Sequence, residues 1–184
     1  MGVKAALVVP TLGRSPWLTE CLRALRREAG EDGEVIVVVQ GDSAAAREAA
    51  GALAHRRIEV PRPLGFAAAA DLGIAAAEAP WVAVVNDDAV VEAGWLAALR
   101  TALEEDPRAA AAQGVNVLAA DPSRTDGWGL AWNRRLQAVQ LGHGDPPPGP
   151  AAPVREVFGV SATAALFRRE ALLAVALPSS GAPA

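Results

Sequence analysis

Trp81-Val-Ala-Val-Val-Asn-Asp-Asp88 is the stretch that decides the fold of this chain of 184 residues. Its apolar part, residues 81–85, is short enough to form a buried strand, and Pro80 sets the start of that strand. Asp87 and Asp88 follow almost directly. Ligands of open α/β sheets bind beyond the carboxyl ends of the strands, and carboxylates there can hold a divalent cation that in turn holds a diphosphate. The stretch therefore predicts chemistry on a nucleotide-activated substrate.

Short apolar runs alternate with helical patterns on both sides of this stretch. Ser15 and Pro16 provide a capping oxygen and a residue without an amide donor, which is typical of a helix start. We predict strands at residues 5–9, 35–39, 57–60 and 81–85, and helices at residues 15–29, 43–54, 66–78 and 92–105. This alternation predicts an α/β fold with a mainly parallel sheet and helices on both faces.

The rhythm changes after residue 105. We predict a strand at residues 109–118, a turn-rich segment at 121–127, a hairpin at 130–141, a flexible loop at 142–153, a strand at 157–167 and a short helix at 168–175. Residues 178–184 have the composition of a disordered tail. We therefore expect one domain over residues 1–177 and a flexible tail over residues 178–184.

Composition argues against several classes of protein. The formal net charge is -4, and no basic stripe offsets the acids, so nothing favours a nucleic-acid partner. Cys21 is the only cysteine, which excludes an internal disulfide, and its helical pattern favours a buried apolar role. No stretch approaches the roughly 18 uninterrupted apolar residues of a membrane span. The first apolar run ends at Pro10, too early for a signal peptide. We expect a cytoplasmic protein.

Five segments, in order along the chain, resemble motifs of the family 2 glycosyltransferases, which have the Rossmann-like GT-A fold. The sequence Asn-Asp-Asp-Ala-Val at residues 86–90 is most similar to the rhamnosyltransferase-like branch of that family. Each motif alone is weak, but five in the right order are fairly specific. The segments are Leu7-Val-Val-Pro-Thr-Leu-Gly-Arg-Ser15, Glu34-Val-Ile-Val-Val-Val-Gln-Gly-Asp-Ser43, Pro63-Leu-Gly-Phe-Ala-Ala-Ala-Ala-Asp-Leu-Gly-Ile74, Val85-Asn-Asp-Asp-Ala-Val-Val-Glu-Ala-Gly-Trp-Leu96 and Val157-Phe-Gly-Val-Ser-Ala-Thr-Ala-Ala-Leu-Phe-Arg-Arg-Glu-Ala-Leu172.

The resemblance implies an inverting, metal-dependent transfer of a sugar from a nucleotide diphosphate sugar to a hydroxyl of a carbohydrate or lipid-linked acceptor. It implies that Asp88 binds Mg²⁺ or Mn²⁺ and that Asp87 faces the ribose or the sugar. The whole nucleotide-sugar site implied in this way consists of Pro10, Thr11, Gln40, Asp42, Gly65 and Asp87. A hard cation with oxygen ligands would neutralise the diphosphate leaving group, which agrees with the reading of the acids themselves.

The sequence departs from the family pattern at two places. Gln40 stands where the family usually has an aspartate that hydrogen-bonds the base, which puts the base preference in doubt. Inverting members also carry a Glu-Asp-containing motif after the late helix, which supplies the catalytic base, whereas no acid follows Glu170. The chain is therefore expected either to be a truncated piece of a longer enzyme or to have lost or relocated its base. Asp126 and Glu156 are the late acids that could substitute, and the base stays unassigned.

Plainer interpretations of these residues stay open. Asp87 and Asp88 could form a solvated turn that caps the next helix, and Asp42 or Ser43 could cap the helix after the second strand. Arg14 could meet a phosphate or lie in solvent as an exposed loop residue. Trp128 and Trp132 could stack on a sugar ring or only pack, and an exposed apolar surface would encourage a homodimer.

Two hypotheses of different class follow for the function. One is the glycosyltransferase, and the other is a catalytically incomplete GT-A-like module that binds a nucleotide or a partner protein. A nucleotidyltransferase of related fold is disfavoured, because its loop after the first strand should contain several glycines, and Pro10-Thr-Leu-Gly-Arg14 contains one.

Overall fold

The computed structural model describes residues 4–149 and 152–176, so the predicted tail at residues 178–184 lies outside the described part. The strands are β1 (Ala5–Thr11), β2 (Gly33–Gln40), β3 (Arg56–Val60), β4 (Trp81–Val85), β5 (Ala111–Gln113), β6 (Asn116–Leu118), β7 (Asp121–Gly127), β8 (Leu130–Trp132), β9 (Ala138–Gln140) and β10 (Ala164–Arg168). The helices are α1 (Leu18–Ala29), α2 (Ala44–Leu53), α3 (Phe66–Ala76), α4 (Trp95–Glu105) and α5 (Arg169–Ala174).

Six strands form a central sheet in the order β3-β2-β1-β4-β10-β5. The first four strands are parallel to one another, whereas β10 runs antiparallel to both β4 and β5. The sheet is therefore mainly parallel, which confirms the predicted α/β fold. The chain moves outward from β1 to β2 and β3, and then returns to place β4 on the other side of β1. The carboxyl ends of β1 and β4 thus flank the point at which the strand order reverses, where open α/β sheets bind ligands.

Helices cover both faces of this sheet. Alternate residues of β1 point to opposite faces, so that Leu7 and Val9 pack with α1, α2 and α4, whereas Ala6 and Val8 pack against the α3 side. All four of these side chains are fully buried, as expected for strands covered on both faces. Gly73 permits close contact between α3 and β1, because a Cβ there would lie 2.2 Å from Val8 Cγ1.

A carboxylate from another helix caps the N-terminus of α4. Glu28 near the end of α1 accepts hydrogen bonds from the backbone N–H groups of Gly94 at 2.9 Å and Leu96 at 2.8 Å. These two amides are among the donors that a helix start leaves without an intrahelical partner. The contact fixes α1 and α4 to each other on the same face of the sheet.

The structure corrects three predictions in the second half of the chain. The predicted single strand at residues 109–118 is two strands, β5 and β6, which belong to different sheets. The segment at residues 121–127, predicted as turns, is the strand β7, which pairs with β6 through a register with irregularities. Its polar and turn-forming residues are mostly exposed, so cross-strand pairing overrides local propensity there. The predicted strand at 157–167 is regular only in β10.

Two other predictions for this half, and one for the first half, have clear outcomes. The hairpin predicted at residues 130–141 is confirmed as the antiparallel pair of β8 and β9. The helix predicted at 168–175 is confirmed as α5. The first helix begins later than predicted, at Leu18, because the Ser15 hydroxyl accepts a hydrogen bond from Trp17 N at 3.1 Å in a turn that precedes the helix. Among the helices described here, none is long and apolar enough to cross a membrane.

Candidate active site

The parallel register of β1 and β4 places Thr11 beside Asp87. Val8 of β1 is paired with Val84 of β4. Thr11 and Asp87 each lie three positions further along their own segment. The Thr11 hydroxyl donates a hydrogen bond of 2.5 Å to Asp87 Oδ2. The same hydroxyl oxygen accepts a 2.8 Å hydrogen bond from Gly13 N. The end of strand β1, the loop after it and the acidic turn after β4 are therefore joined through one buried threonine.

The turn that carries both acids is held on two sides by backbone groups. Asn86 N donates to the carbonyl oxygen of Thr163 at 2.9 Å, just before β10. The carbonyl oxygen of Asn86 accepts from Ala89 N at 3.2 Å and from the Cys21 thiol of α1 at 3.4 Å. Burial, followed by the charges of Asp87 and Asp88, raises the pKa of Cys21 to about 12. The thiol therefore stays protonated and packs as a small buried group, as predicted.

Asp87 is half buried, whereas Asp88 is exposed. Burial is the main cause that raises the pKa of Asp87 above its ordinary value of 3.8, and the nearby charge of Asp88 adds to it. The hydrogen bond from Thr11 acts in the opposite direction. The two neighbouring carboxylates therefore form a concentrated negative charge that a cation would relieve.

A cleft of about 290 Å³ opens beside this turn. It lies at the carboxyl ends of β1, β2 and β4, where the strand order reverses. Four of the predicted site residues line it together with Asp88, and six further residues complete its wall. The lining residues are Pro10, Leu12, Arg14, Ser15, Gln40, Pro63, Gly65, Phe66, Asn86, Asp87 and Asp88.

Gln40 connects the cleft to the segment before α3. Its side chain is 4% exposed, and its Oε1 accepts a hydrogen bond of 2.9 Å from Leu64 N. Because the partner is an amide donor, the oxygen of the Gln40 side chain must face Leu64 and its amide nitrogen must point elsewhere. Gly65 follows Leu64 directly, with φ +86, and leads into α3.

The structure distinguishes Asp42 from the other predicted site residues. Asp42 is exposed and does not line the cleft, and its carbonyl oxygen accepts from Arg47 Nη1 at 2.9 Å. Ser43, the alternative, is the N-cap of α2, because its hydroxyl accepts from Ala46 N at 3.2 Å. The structure thus brings together Pro10, Thr11, Gln40, Gly65, Asp87 and Asp88, and leaves Asp42 outside.

Two competing interpretations of the acids can be compared with these contacts. The helix after the acidic turn, α4, is capped by Glu28, so the interpretation of Asp87 or Asp88 as its cap is wrong. A preformed metal cage is also absent, since no group of three or more His, Cys, Asp or Glu side chains within residues 4–149 and 152–176 could hold a metal ion. What remains is a pair of carboxylates at the end of a cleft.

The late acids that could have supplied a base lie elsewhere. Asp126 is adjacent to His143, with 3.6 Å between Oδ1 and Nδ1, and Glu156 is exposed. Neither residue lines the cleft. Trp132 forms an edge-to-face contact with Phe158 at 5.2 Å, and Trp128 contacts the guanidinium of Arg155. A second cavity, of about 360 Å³, lies at the amino end of β4, and none of Asp87, Asp88, Asp126 and Glu156 lines it.

Sequence reasoning missed five residues of the cleft wall, namely Leu12, Ser15, Pro63, Phe66 and Asn86. Ser15 was interpreted only as a helix cap, Phe66 as the first helical residue, and Asn86 as part of a motif. Phe66 remains 45% exposed at the mouth of the cleft although it is a large apolar side chain. The aromatic residue directly after Pro63-Leu-Gly65 could have been noticed, because ligand pockets are lined predominantly by hydrophobic and aromatic side chains.

Replacing Asp87 with asparagine is expected to leave the unliganded protein at least as stable at neutral pH. A folded-state pKa raised above 3.8 means that the unfolded chain ionises more readily. The folded state is therefore penalised above the folded pKa, and the penalty disappears as the pH falls toward 3.8. Asparagine removes this titration and keeps an oxygen for the Thr11 hydroxyl. Urea unfolding as a function of pH measures the effect, with Asp71→Asn on the exposed side of α3 as the control. A clear loss of stability in Asp87→Asn at neutral pH would contradict the assigned pKa shift.

Comparison of the sequence and the structure with known proteins assigns the chain to a family. The model of the family described as "Glycosyl transferase family 2" matches residues 6–175. No curated protein sequence matches the chain. Among solved structures, the mannosyltransferase PcManGT from Pyrobaculum calidifontis in complex with GDP-Man and Mn²⁺ is 20% identical with a TM-score of 0.63. The match covers 95% of this chain and 47% of that one.

Two other solved structures share the fold at similar distance. S. aureus TarS 1–349 is 18% identical with a TM-score of 0.59, and the match covers 94% of this chain and 49% of that chain. A CMP:2-keto-3-deoxy-manno-octonic acid synthetase complexed with CTP is also 18% identical, with a TM-score of 0.56, over 92% of this chain and 76% of that one. The chain thus spans about half the length of the first two structures. At these identities the structures show the fold, and the family model covers nearly all of the sequence: the chain belongs to glycosyl transferase family 2.

Proposed function

We propose that this chain transfers a sugar from a nucleotide diphosphate sugar to an acceptor hydroxyl, with inversion at the anomeric carbon and with Mg²⁺ or Mn²⁺. The observation that carries the proposal is the hydrogen bond between Thr11 and Asp87, which fixes the Asp87-Asp88 pair in the wall of the cleft. Membership of the family and the divalent cation in the PcManGT complex support it.

The acids of the cleft fit a divalent cation that is shared with the substrate. Mg²⁺ in nucleotide sites is held by one or two carboxylates together with phosphate oxygens, so a cage of three protein ligands is not needed. Asp88, which is exposed, would hold the ion, and Asp87 would face the ribose or the sugar. When bound, the ion would supply positive charge to the diphosphate. Neither histidine nor cysteine competes at the cleft wall, which favours a hard cation.

The nucleotide would occupy the part of the cleft near Pro10, Thr11, Gln40 and Gly65. Since Oε1 of Gln40 is engaged by Leu64 N, the amide nitrogen is the group available to a base. Gln40 would therefore donate to an oxygen or nitrogen acceptor on the base, where an aspartate would accept. Asp42, which is exposed and two residues beyond Gln40, would reach the nucleotide only from outside the cleft wall.

The transfer itself makes one bond and breaks one. The acceptor oxygen bonds to the anomeric carbon, and the bond from that carbon to the distal phosphate oxygen breaks, with its electron pair staying on the phosphate. The proton of the acceptor hydroxyl must go to a general base, to which we assign no residue of the chain.

We propose a rhamnosyltransferase-like donor preference and a carbohydrate or lipid-linked acceptor, on the basis of residues 86–90. Exposed apolar side chains, including Leu136 and Phe158, also support a homodimer.

A binding module without turnover is the second candidate. It is favoured by one observation, namely that the late acids Asp126 and Glu156 lie outside the described cleft wall. Such a module would bind a nucleotide diphosphate in the same way and leave the sugar in place.

A turnover assay separates the two candidates. The full chain would be incubated with Mn²⁺, a panel of dTDP-rhamnose, UDP-GlcNAc and GDP-Man, and carbohydrate or lipid-linked acceptors. Release of nucleoside diphosphate and the mass of the glycosylated product would then be measured. We expect acceptor-dependent product from one donor, and loss of that product when EDTA removes the metal. Nucleotide binding with no product from any donor would instead favour the binding module.

A further inference from the structure

Arg14 is the cationic residue of the cleft wall. Among the described residues that line the cleft, Asp87 and Asp88 have acidic side chains and Arg14 has the positively charged one. The cleft therefore presents two negative charges on the β4 side and one positive charge on the β1 side. A cleft that served only to hold a metal ion would gain nothing from a guanidinium, since the two cations repel each other.

The backbone of Arg14 is fixed immediately before and after it. Gly13 N donates to the Thr11 hydroxyl at 2.8 Å, and Trp17 N donates to the Ser15 hydroxyl at 3.1 Å. The carbonyl oxygen of Ser15 also accepts from Leu18 N at 3.5 Å, at the start of α1. The loop thus holds the backbone of Arg14 in place relative to the Thr11–Asp87 pair, and Arg14 is an exposed residue that lines the cleft.

The guanidinium of Arg14 has no partner within residues 4–149 and 152–176. Three arginines elsewhere in the protein are engaged, in contrast to Arg14. Arg47 bonds the carboxylate of Glu59 at 2.9 Å and two carbonyl oxygens, and Arg169 bonds the carbonyl oxygen of Ala77 at 2.9 Å. Arg168 lies over the ring of Trp81 and bonds backbone oxygens. Arg14 is therefore unlike these structural arginines, because its five donors remain available to a ligand.

We propose that Arg14 binds the distal phosphate of the nucleotide diphosphate, the phosphate that bears the sugar. This inference rests on the proposed function and names a further residue of the same site. A planar guanidinium forms paired, charge-assisted hydrogen bonds to phosphate oxygens. As the bond to the anomeric carbon breaks, the electron pair stays on that phosphate, so its charge grows toward Arg14. Arg14 thus stabilises the leaving group from the side opposite the acids.

The test compares nucleoside diphosphates with the matching monophosphates. The full chain, Arg14→Gln and Arg14→Lys would each be titrated with UDP and UMP, dTDP and dTMP, and GDP and GMP, in the presence of Mn²⁺. We expect Arg14→Gln to weaken binding of the preferred diphosphate by about tenfold to a hundredfold, and binding of its monophosphate by less than about threefold. Arg14→Lys should fall between, because it keeps the charge and loses the fork.

Arg62→Gln is the matched control. Arg62 is exposed beside Pro63 but does not line the cleft, so its loss should change neither affinity by more than about twofold. Diphosphate binding that Arg14→Gln leaves unchanged would overturn the role of Arg14 and leave the proposed function standing. An equal loss for diphosphate and monophosphate would also overturn it, since Arg14 would then act on another part of the nucleotide. Failure of the unaltered chain to bind any of the six nucleotides would overturn both.

Discussion

Asp88→Asn is expected to weaken Mn²⁺-dependent binding of a nucleoside diphosphate by at least about a hundredfold. Asp88 is the exposed acid of the pair and the proposed ligand of the cation. Loss of residues that merely orient metal ligands already reduces metal affinity by roughly tenfold to a hundredfold, so loss of the ligand itself should have the larger effect. Titration calorimetry with and without Mn²⁺ measures the change.

Glu92→Gln serves as the matched control for that variant. Glu92 is an exposed acid four residues beyond Asp88 on the same segment, and it does not line the cleft. Glu92→Gln removes the same charge, but it should leave the affinity within about twofold, because Glu92 does not line the cleft and salt screens exposed charges. If Asp88→Asn kept its metal-dependent binding, the cation would have to lie elsewhere and the assignment of Asp88 would be wrong.

Gly13→Ala is expected to reduce the free energy of unfolding by about 2–4 kcal/mol and to displace Thr11. Gly13 has φ +67, which an alanine adopts at a cost. A Cβ at this position would also lie 2.2 Å from Ser43 Oγ and 2.8 Å from Ala46 Cβ. Relief of that overlap would move the loop and the Gly13 amide away from Thr11. Urea unfolding gives the stability, and nucleotide titration gives the effect on the site.

Gly144→Ala separates the two causes. Gly144 also has a positive φ, of +81, but a Cβ there meets no atom within 4 Å. It should therefore show only the backbone effect of about 1–2 kcal/mol and leave nucleotide binding unchanged. Equal losses of unfolding free energy in the two variants would contradict this account, because the overlap of the Gly13→Ala methyl group with Ser43 and Ala46 would then add no cost.

The sequence predicted the parts of the fold that depend on local pattern. The β-branched run of β2 and the short apolar run of β4 read correctly as strands because both are buried on both faces. Their order, together with the acids at the end of β4, indicated a ligand site beyond the carboxyl ends of the strands, and the resemblance to the family added Thr11 to that site. The contact between Thr11 and Asp87 depends in addition on β1 and β4 being neighbours with Val8 paired to Val84, which the alternation of strands and helices does not specify.

Contacts between distant parts of the chain could not be predicted in this way. Glu28 caps α4 through hydrogen bonds to two residues that lie 66 and 68 positions further along the chain, and no local motif predicts these contacts. The bond from Leu64 N to Gln40 similarly depends on how the segment before α3 folds back. The strand β7 was missed because its polar sequence indicates turns, whereas its pairing with β6 is a tertiary effect.

The measurement that tests the central claim most directly is titration of the purified full chain with UDP, dTDP and GDP, with Mn²⁺ and with EDTA. The Asp87-Asp88 cleft predicts that at least one of these nucleotides binds with Mn²⁺ and that its affinity falls by about tenfold or more when the metal is removed. Absence of binding to all three, or binding that EDTA leaves unchanged, would contradict the assignment of this cleft as a metal-dependent nucleotide-sugar site.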